Sequence, residues 1–494
     1  MWKRFPWPLP LIVAFYPWNI ANEYIGFIGA GMILKYFLLY AALGLIIFLA
    51  SYPILRDRIR ATIFAAAVVL LFLFWGPIHD LLRTIAGSSP GGYTFALPLA
   101  AVLLSLLLIM LKKKVSSPLR LYSFLVILFA VFVFIEAIKS VLFVASGTLK
   151  RNDLAIQNPL AEPRLGANKK TDPDIFYIVF DEYAGSSALH DYFQFDNSAL
   201  DSTLMANSFH VVKGSRSNYN STPHSIAATL NLDYHHTDLE GRPSIPVELL
   251  KGQYTVYRSR LPEWLSKNGY DVLNLGVMDL EGAPAPGGSH FDNEKELALW
   301  RHTLYGRVKK EIWWNVHNRL EKGSTTSGIS KSQRTLQAYE KNFNRLKDEL
   351  ETEKGTPRFV YAHFMMPHNP FITDSQGNPR AEEMTDYTIH MDSLYRDFLS
   401  YTNKWIRELA EDTKHTGRPR VVVLQSDHGK RISNGRPTPR DVQFLNLSAV
   451  YFSDGDYSVV PDGMTNVNTF RVVLDKYWNT DLGLLKDSVV YIQP

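Results

Sequence analysis

A carboxylate and an imidazole directly follow an apolar run near the end of the chain. The run 421–424 (VVVL) is followed by Gln-Ser and then by Asp427 and His428. An isolated pair of this kind is most often part of a polar turn. Carboxylate oxygen and neutral imidazole are also, however, ligands for a divalent ion such as zinc or manganese. The pair therefore predicts a metal site only if the chain supplies further ligands.

Two other apolar runs end in residues of the same kind. Asp181 and Glu182 follow IFYIVF, and RFVYAHF contains His363, with His368 five residues later. If these runs are parallel strands, their carboxyl ends meet at one edge of a sheet, where α/β proteins bind ligands. We therefore expect these side chains to converge with Asp427.

A hydroxyl-rich stretch, SNYNSTPHSIAATLN, turns into a helix-like apolar run. Pro223 suits the first helical position, which makes Thr222 the predicted N-cap. A hydroxyl added to a divalent ion is acidified, and the exposed N–H groups of a helix N-terminus also attract a phosphate. The stretch thus predicts Thr222 as a nucleophile for covalent catalysis.

The elements that must position these residues form an α/β pattern after residue 174. Continuous apolar strands separated by amphipathic helices indicate a sheet covered on both faces, with mostly parallel strands. The predicted strands are 174–181, 271–277, 358–364, 420–426 and 447–453, and the predicted helices include 222–232, 258–268 and 334–354.

The first 150 residues are far more apolar than the rest. Stretches of about 17–25 apolar residues are long enough to cross a bilayer as helices. Five are predicted: 7–27 (the weakest), 33–55, 61–80, 94–111 and 121–144. The predicted organisation is a five-span membrane domain (1–147), a linker (148–173) rich in Pro, Asn and charge, and a second domain (174–494).

Orientation follows from the short loops, because Lys and Arg beside a span are retained in the cytoplasm. Most of the basic residues lie before the first span, between the second and third spans, and between the fourth and fifth. The alternate loops contain only Arg83, with Lys35 just inside the second span. The pattern predicts a cytoplasmic N-terminus and an external second domain. The basic residues that fix it are Lys3, Arg4, Arg56, Arg58, Arg60, Lys112, Lys113, Lys114 and Arg120.

Composition excludes several other functions. The chain has no cysteine, so disulfides, thiolate metal ligands and a cysteine nucleophile are excluded. The formal net charge is +4, and most of the excess lies between the predicted spans. The second domain has no basic run interleaved with aromatic residues, so no nucleic-acid partner is predicted.

The motifs FDEYAG, SNYNSTPHSIAATLN, HFMMPHNPF and SDHG occur in that order after the predicted spans. Together they resemble the sulfatase-like division of the alkaline-phosphatase superfamily. The nearest kinds are the membrane-anchored phosphoethanolamine transferases and lipoteichoic acid synthases. The resemblance covers roughly residues 173–494, and it implies an external α/β sulfatase/alkaline-phosphatase-like domain with a largely parallel central sheet.

The resemblance also implies roles for the site residues. Asp181 resembles the first metal ligand, Asp427 and His428 the pair that completes the site, and Thr222 the nucleophile that is also a ligand. Glu182 occupies the place of a second sulfatase acid and is an additional candidate ligand. The implied cofactor is a divalent metal ion, zinc or manganese.

A second group of residues resembles substrate-side positions. His363 and His368 have the spacing of the histidines on the substrate side of phosphoethanolamine transferases. Lys430 follows the Asp-His pair, where its charge would neutralise a phosphate, although a solvated lysine is an equal alternative. Asn218 and His224 flank the nucleophile and are weaker candidates for an anion pocket.

One departure from the family pattern separates its branches. Sulfatases convert a Cys or Ser to formylglycine within C/S-x-P-x-R, but the sequence S-T-P-H-S at 221–225 lacks the Arg. An unmodified hydroxyl favours transfer of a phosphoryl group over hydrolysis of a sulfate ester. Ser221 aligns with the sulfatase nucleophile, so it remains the alternative to Thr222.

The resemblance implies an integral enzyme of the bacterial cytoplasmic membrane with a periplasmic or extracellular catalytic domain. It would move a phospho-substituent, of the phosphoethanolamine or phosphoglycerol type, from a membrane lipid donor to an envelope glycan or lipid through a phospho-threonine. Two alternatives remain open. One is an external sulfatase or phosphodiesterase, and the other is a catalytically silent envelope-binding protein.

Overall fold

A computed structural model describes most of the chain, in the ranges 5–24, 26–86, 92–113, 118–145, 171–235, 239–241, 246–287, 290–309, 330–384, 391–413 and 417–493. Almost all of the predicted linker lies outside these residues, as do Lys3, Arg4 and Lys114. The chain forms two compact units. The helical unit comprises residues 1–153 and 292–326, and the sheet unit comprises 154–291 and 327–494.

The described helices alternate with strands only after residue 173. In chain order they are α1 (Pro8–Glu23), α2 (Ala30–Leu55), α3 (Arg58–Leu73), α4 (Trp75–Ala86), α5 (Tyr93–Lys112), α6 (Pro118–Ala145), α7 (Ser186–Asp191), α8 (Ser198–Ala206), α9 (Thr222–Asn231), α10 (Pro246–Tyr257), α11 (Arg260–Lys267), α12 (His290–Trp300), α13 (Leu304–Val308), α14 (Lys331–Glu351), α15 (Met391–Asp412) and α16 (Thr469–Trp478).

The strands all belong to the sheet unit. They are β1 (Asp174–Phe180), β2 (His210–Val211), β3 (Asp271–Leu275), β4 (Arg358–Phe364), β5 (Phe371–Thr373), β6 (Pro379–Met384), β7 (Arg420–Gln425), β8 (Ile432–Ser433), β9 (Arg436–Pro437) and β10 (Ser448–Phe452).

Within the described part of the helical unit, three helices are long and apolar enough to cross a membrane: α2, α5 and α6. A fourth span results if α3 and α4, which meet at a bend of 70°, count as one. The weakest of the five predicted spans forms α1, a helix of 16 residues that contains Pro17. The five-span count therefore remains a prediction.

A polar cluster joins α1 to α6 inside the helical unit. The buried carboxylate of Glu136 accepts hydrogen bonds from Asn19 at 3.1 Å and from Asn22 at 2.8 Å. Lys139, one turn further along α6, donates to the same carboxylate at 2.8 Å. Because three donors satisfy this acid, its burial has a structural explanation.

A six-stranded sheet with the order β2-β10-β7-β1-β4-β3 forms the centre of the sheet unit. The strands β7, β1, β4 and β3 are parallel, and β10 is antiparallel to both β7 and β2. Two short antiparallel pairs, β5–β6 and β8–β9, lie outside it. The predicted α/β class with a largely parallel central sheet is therefore confirmed.

Burial on both faces explains the continuous apolar strands. Every residue of β1, β4 and β7 is buried. Alternate side chains of β1 enter two different cores: Phe176 and Ile178 pack on one face, whereas Ile175 and Tyr177 pack on the other. Each of the five predicted strands and each of the three predicted helices is present, with ends shifted by a few residues.

Candidate active site

The polar residues lie where the three central strands end. In the order β7-β1-β4, Asp427 and His428 follow β7, Asp181 follows β1, and His363 is the penultimate residue of β4. One ligand atom each from Asp181, Asp427 and His428 lies within 4.8 Å of the others, and all three residues are buried. The parallel pairing of the strands thus brings together residues that are far apart in sequence.

The donor atoms of this cluster fit a cation. Asp181 Oδ1 and Asp427 Oδ2 are buried and accept no hydrogen bond from the part of the chain that the structure describes. His428 Nδ1 lies 2.8 Å from the carbonyl oxygen of Gly429, which can only accept, so Nδ1 carries the proton and Nε2 keeps its lone pair in the neutral ring. Nε2 lies 3.3 Å from Asp427 Oδ2. Buried carboxylates without donors are costly unless a positive charge pairs with them.

Thr222 contacts this cluster from the N-terminus of α9. Its Oγ1 lies 3.3 Å from His428 Nε2. The helix begins at residue 222, as predicted, but Ser221, with extended backbone angles, is the N-cap, and Thr222 is the first helical residue, before Pro223. The prediction that Thr222 caps the helix is therefore wrong, because Pro223 is accommodated at the second helical position as well as at the first.

The neighbouring hydroxyls have other partners. Ser221 Oγ lies 3.1 Å from Nδ1 of the buried His224. Ser225 Oγ, on the next turn of α9, donates to the backbone carbonyl of Asp427 at 2.5 Å. This bond ties the start of α9 to the loop after β7, so it fixes Thr222 relative to the acidic cluster.

His363 contacts the cluster from β4. Its Nε2 lies 3.1 Å from Asp181 Oδ2, and its Nδ1 lies 2.9 Å from the hydroxyl of Tyr361. Burial raises the pKa of Tyr361 well above its usual value, so its phenol stays protonated. Burial also raises the pKa of Asp181, but the charge of His368 and the hydrogen bond and charge of His363 outweigh it and lower that pKa to about 2. Asp181 is therefore a carboxylate at neutral pH.

Glu182 and Lys430, both predicted to contact a ligand, contact each other. Lys430 Nζ donates to Glu182 Oε2 at 3.1 Å, and the backbone N–H of Arg431 donates to Oε1 at 3.0 Å. Lys430 is fully buried, with its ammonium 4.8 Å from the ring centroid of Tyr395. Burial raises the pKa of Glu182, yet the charge of Lys430 and then of His368 lowers it below its usual range.

The backbone conformation of Glu182 explains why the side chains of Asp181 and Glu182 have different partners. Glu182 has a φ of 59°, in the left-handed region that few residues other than glycine adopt. Its N–H donates to Asp427 Oδ1 at 3.0 Å while its side chain bonds Lys430. Asp181 and Glu182, although adjacent, therefore serve different partners.

His368 and Asn218, both predicted to contact the substrate, have different surroundings in the structure. His368 Nε2 lies 3.9 Å from Glu182 Oε2 and 3.5 Å from the guanidinium of Arg431. Asn218 uses its whole amide within the fold: Nδ2 donates to Tyr234 and to a backbone carbonyl, and Oδ1 accepts from the N–H of Val467 at 2.7 Å. The described contacts of Asn218 are thus structural, whereas His368 lies beside the charged groups of the site.

A model of the family described as Sulfatase matches residues 173–476, more than half of the chain. The chain belongs to the sulfatase family. It is therefore an enzyme of this family, and the resemblance stated from the motifs is confirmed. The matched region contains the clustered residues Asp181, Asp427 and His428.

Solved structures that match this sulfatase-family protein share little sequence with it. The C-terminal periplasmic domain of EcEptC from Escherichia coli in complex with Zn is 11% identical, with a TM-score of 0.40, over 65% of this chain and 86% of that one. Lipooligosaccharide phosphoethanolamine transferase A (EptA) from Neisseria meningitidis, an integral membrane protein, is 12% identical, with a TM-score of 0.40, over 96% of this chain and 94% of that one. Phosphonate monoester hydrolase of Agrobacterium radiobacter is 14% identical, with a TM-score of 0.38, over 62% and 73%. No curated protein matches the chain by sequence.

Three supporting residues of this sulfatase-family site were not predicted. Tyr361 bonds His363, Ser225 bonds the backbone of Asp427, and Gly429 lies where a Cβ would be 2.1 Å from the carbonyl oxygen of Val442. The glycine of SDHG was visible in the motif, and a glycine at such a position indicates that another backbone segment approaches closely. Tyr361 is hidden among the apolar residues of its strand, so the sequence offers no signal for its hydroxyl.

Proposed function

We propose that the protein is a membrane-anchored, metal-dependent transferase that moves a phospho-substituent from a lipid to an envelope glycan or lipid. The substituent is of the phosphoethanolamine or phosphoglycerol type, and the intermediate is a phospho-threonine at residue 222. The observation that carries the proposal is the 3.3 Å approach of Thr222 Oγ1 to His428 Nε2, beside two aspartates that each have one carboxylate oxygen without a donor among the described residues.

Asp181, Asp427, His428 and Thr222 would hold the ion, and zinc or manganese suits this set of oxygen and nitrogen donors. A bound divalent ion supplies positive charge that lowers the pKa of a nearby hydroxyl and neutralises phosphate oxygens. Glu182 supports the site in another way, since its carboxylate holds Lys430 and the backbone of Arg431 in place.

The proposed reaction proceeds in two displacements at phosphorus. The Thr222 hydroxyl loses its proton as its oxygen attacks the donor phosphodiester, so a bond from Thr222 to phosphorus forms as the bond to the diacylglycerol oxygen breaks. That oxygen takes up a proton and leaves as a neutral alcohol. An acceptor hydroxyl then attacks the same phosphorus and loses its proton, and Thr222 recovers its hydroxyl. The N-terminus of α9 directs the positive end of its dipole at the phosphoryl oxygens.

The helical unit supports a lipid donor. Three of its described helices are long and apolar enough to cross a membrane, and an anchored enzyme works on lipid headgroups at the surface of the bilayer. The basic loops predict that the N-terminus is cytoplasmic and that the catalytic region is external, in the periplasm or outside the cell.

The test is to incubate the full-length protein in detergent with headgroup-labelled phosphatidylethanolamine or phosphatidylglycerol, with and without a chelator. Mass spectrometry of the peptide 215–235 then locates the label. We expect it on Thr222, dependent on a divalent ion. We expect Thr222→Ala to lower turnover by roughly a thousandfold or more, because it removes the nucleophile.

Ser221→Ala is the matched control, since it removes the adjacent hydroxyl and leaves Thr222. It should keep the label on the peptide. A formylglycine at residue 221, or an active Thr222→Ala protein, would contradict the proposed mechanism. Label released to water in the presence of acceptor lipids and glycans would indicate the hydrolase instead of the transferase.

A further inference from the structure

The helical unit contains a cavity of about 590 Å³ for which the proposed reaction has no use. One wall is α2 and the other is the segment 296–309, formed by the end of α12 and by α13. This volume falls within the roughly 300–1,000 Å³ of sites that bind small molecules. Its lining is predominantly aromatic and aliphatic, with two charged residues.

Specific hydrogen bonds hold the two walls together. Lys35 Nζ donates to Glu296 Oε1 at 2.6 Å, and the Tyr36 hydroxyl donates to the same oxygen at 3.0 Å. One turn further along α2, the Tyr40 hydroxyl donates to the carbonyl of Leu299 at 2.9 Å. The cavity is therefore bounded by polar contacts that fix the segment against the helix.

One end of the cavity is hydrocarbon. Leu39 and Leu43 lie one turn apart on α2, and Phe72 joins them from α3. Leu39 is 56% exposed on a helix that is long enough to cross a membrane. The apolar wall is thus continuous with a surface that acyl chains would cover in a bilayer.

The other end contains the positive charge of Lys309. Lys309 lies with its ammonium 4.8 Å from the ring centroid of Trp300 and 5.8 Å from that of Tyr305. Glu296 is already paired with Lys35. Among the residues that the structure describes, Lys309 has no carboxylate within ion-pair distance. One negative charge on a ligand would balance it.

We propose that this cavity binds one glycerophospholipid, with an acyl chain along Leu39, Leu43 and Phe72 and the phosphodiester at Lys309. A phosphodiester has a single negative charge, which would balance the charge of Lys309. A phospholipid also has acyl chains, so it would contact both the charged end and the apolar end of the cavity. The site lies within the helical unit, so the inference goes beyond the proposed reaction and does not require the bound lipid to be the donor.

Native mass spectrometry of the full-length protein tests the ligand class. The protein is released from detergent after incubation with phosphatidylglycerol, phosphatidylethanolamine, diacylglycerol or glycerophosphate. We expect one equivalent of either phospholipid to be retained, because both contain the phosphodiester and the acyl chains. Equal retention of diacylglycerol would contradict the role of Lys309, and equal retention of glycerophosphate would show that the ligand is a free phosphate ester.

Two substitutions test the two ends separately. Lys309→Gln removes the charge and Leu39→Trp fills the apolar end; we expect each to lower phospholipid retention about tenfold. The matched controls are Lys112→Gln, an exposed lysine at the end of α5, and Leu103→Trp, a leucine of α5 that is 57% exposed. The controls should retain lipid like the unmodified protein.

Retention that is unchanged in both cavity variants would overturn the proposal. Lys309 and Leu39 are exposed, so neither substitution removes core packing, and an unchanged thermal unfolding midpoint confirms that each variant is folded. Thr222→Ala separates this inference from the proposed reaction. It should abolish the labelled threonine and leave phospholipid retention unchanged.

Discussion

At the residue scale, the acids of the site fall into two classes according to their partners. Glu182 has its two carboxylate oxygens satisfied by Lys430 and by the backbone of Arg431. Asp181 and Asp427 each keep one buried oxygen without a donor among the described residues. The first arrangement is complete without a ligand, whereas a cation would satisfy the free oxygens of the second, so the two aspartates are the better candidates for metal ligands.

The Glu182–Lys430 pair gives a prediction about stability. Lys430→Met removes one partner of a buried pair and leaves Glu182 charged, so we expect a loss of about 3–5 kcal/mol in the free energy of unfolding, measured by denaturant titration. The double variant Glu182→Gln/Lys430→Met should recover part of it. The control is Lys251→Met, whose pair with Glu248 is partly exposed and should cost under about 1 kcal/mol. Lost turnover with unchanged stability would instead indicate a phosphate-binding lysine.

The free carboxylate oxygens predict that metal removal destabilises the protein. A ligand that binds only the folded state stabilises it by about 2.7 kcal/mol at one hundred times its dissociation constant. We therefore expect a chelator to lower the thermal unfolding midpoint and zinc or manganese to restore it. Asp427→Asn should reduce both the bound metal, measured by elemental analysis, and this shift. A midpoint that the chelator leaves unchanged, in a protein without bound metal, would contradict the metal site.

At the element scale, the loop after β7 is held by close backbone contacts. The N–H of Gly429 donates to the carbonyl of Gln443 at 2.9 Å, and Ser426 Oγ donates to the carbonyl of His428 at 2.8 Å. Ser225 of α9 binds the carbonyl of Asp427. The geometry of the Asp-His pair therefore depends on the packing of the loop against two other segments.

Gly429 gives a prediction at this scale. A Cβ there would lie 2.1 Å from the carbonyl oxygen of Val442 and 2.5 Å from that of Leu445, so the backbone must move. We expect Gly429→Ala to cost about 1–3 kcal/mol of unfolding free energy and to lower metal binding, because His428 is displaced. Gly355→Ala is the control, since nothing lies within 4 Å of its Cβ position. Metal binding that is unaffected by Gly429→Ala would show that the loop is not constrained in this way.

At the scale of the whole molecule, the chain crosses between the two units three times, first at residues 153–154. After β3 it supplies residues 292–326 to the helical unit, and it then returns to α14 and β4. The predicted second domain (174–494) includes this segment. Its contacts with α2 through Glu296 and Leu299 explain why it groups with the spans instead.

The predicted orientation is testable because the chain has no cysteine of its own. We expect Ser266→Cys, an exposed position on α11, to react with a membrane-impermeant maleimide in intact cells. Lys113→Cys, between the last two predicted spans, should react only after the membrane is permeabilised. The physical basis is the excess of Lys and Arg in that loop. The reverse labelling pattern would place the catalytic unit in the cytoplasm.

The sequence by itself determined the elements and the chemical types at their ends. Strands covered on both faces must be continuously apolar, so β1, β4 and β7 were readable, as was the convergence of Asp181, Asp427 and His428 at their carboxyl ends. The apolar stretches of α2, α5 and α6 were also readable, because a helix that crosses hydrocarbon requires apolar side chains over a defined length.

Only the tertiary structure decided which polar groups are partners. Glu182 and Lys430 are 248 positions apart, and their pairing depends on the left-handed backbone at Glu182, which no local pattern predicts. The placement of 292–326 in the helical unit likewise rests on hydrogen bonds from Tyr36 and Tyr40, side chains that read as ordinary members of an apolar span. Burial is encoded locally by residue type, whereas the partner of a buried polar group is fixed by long-range packing.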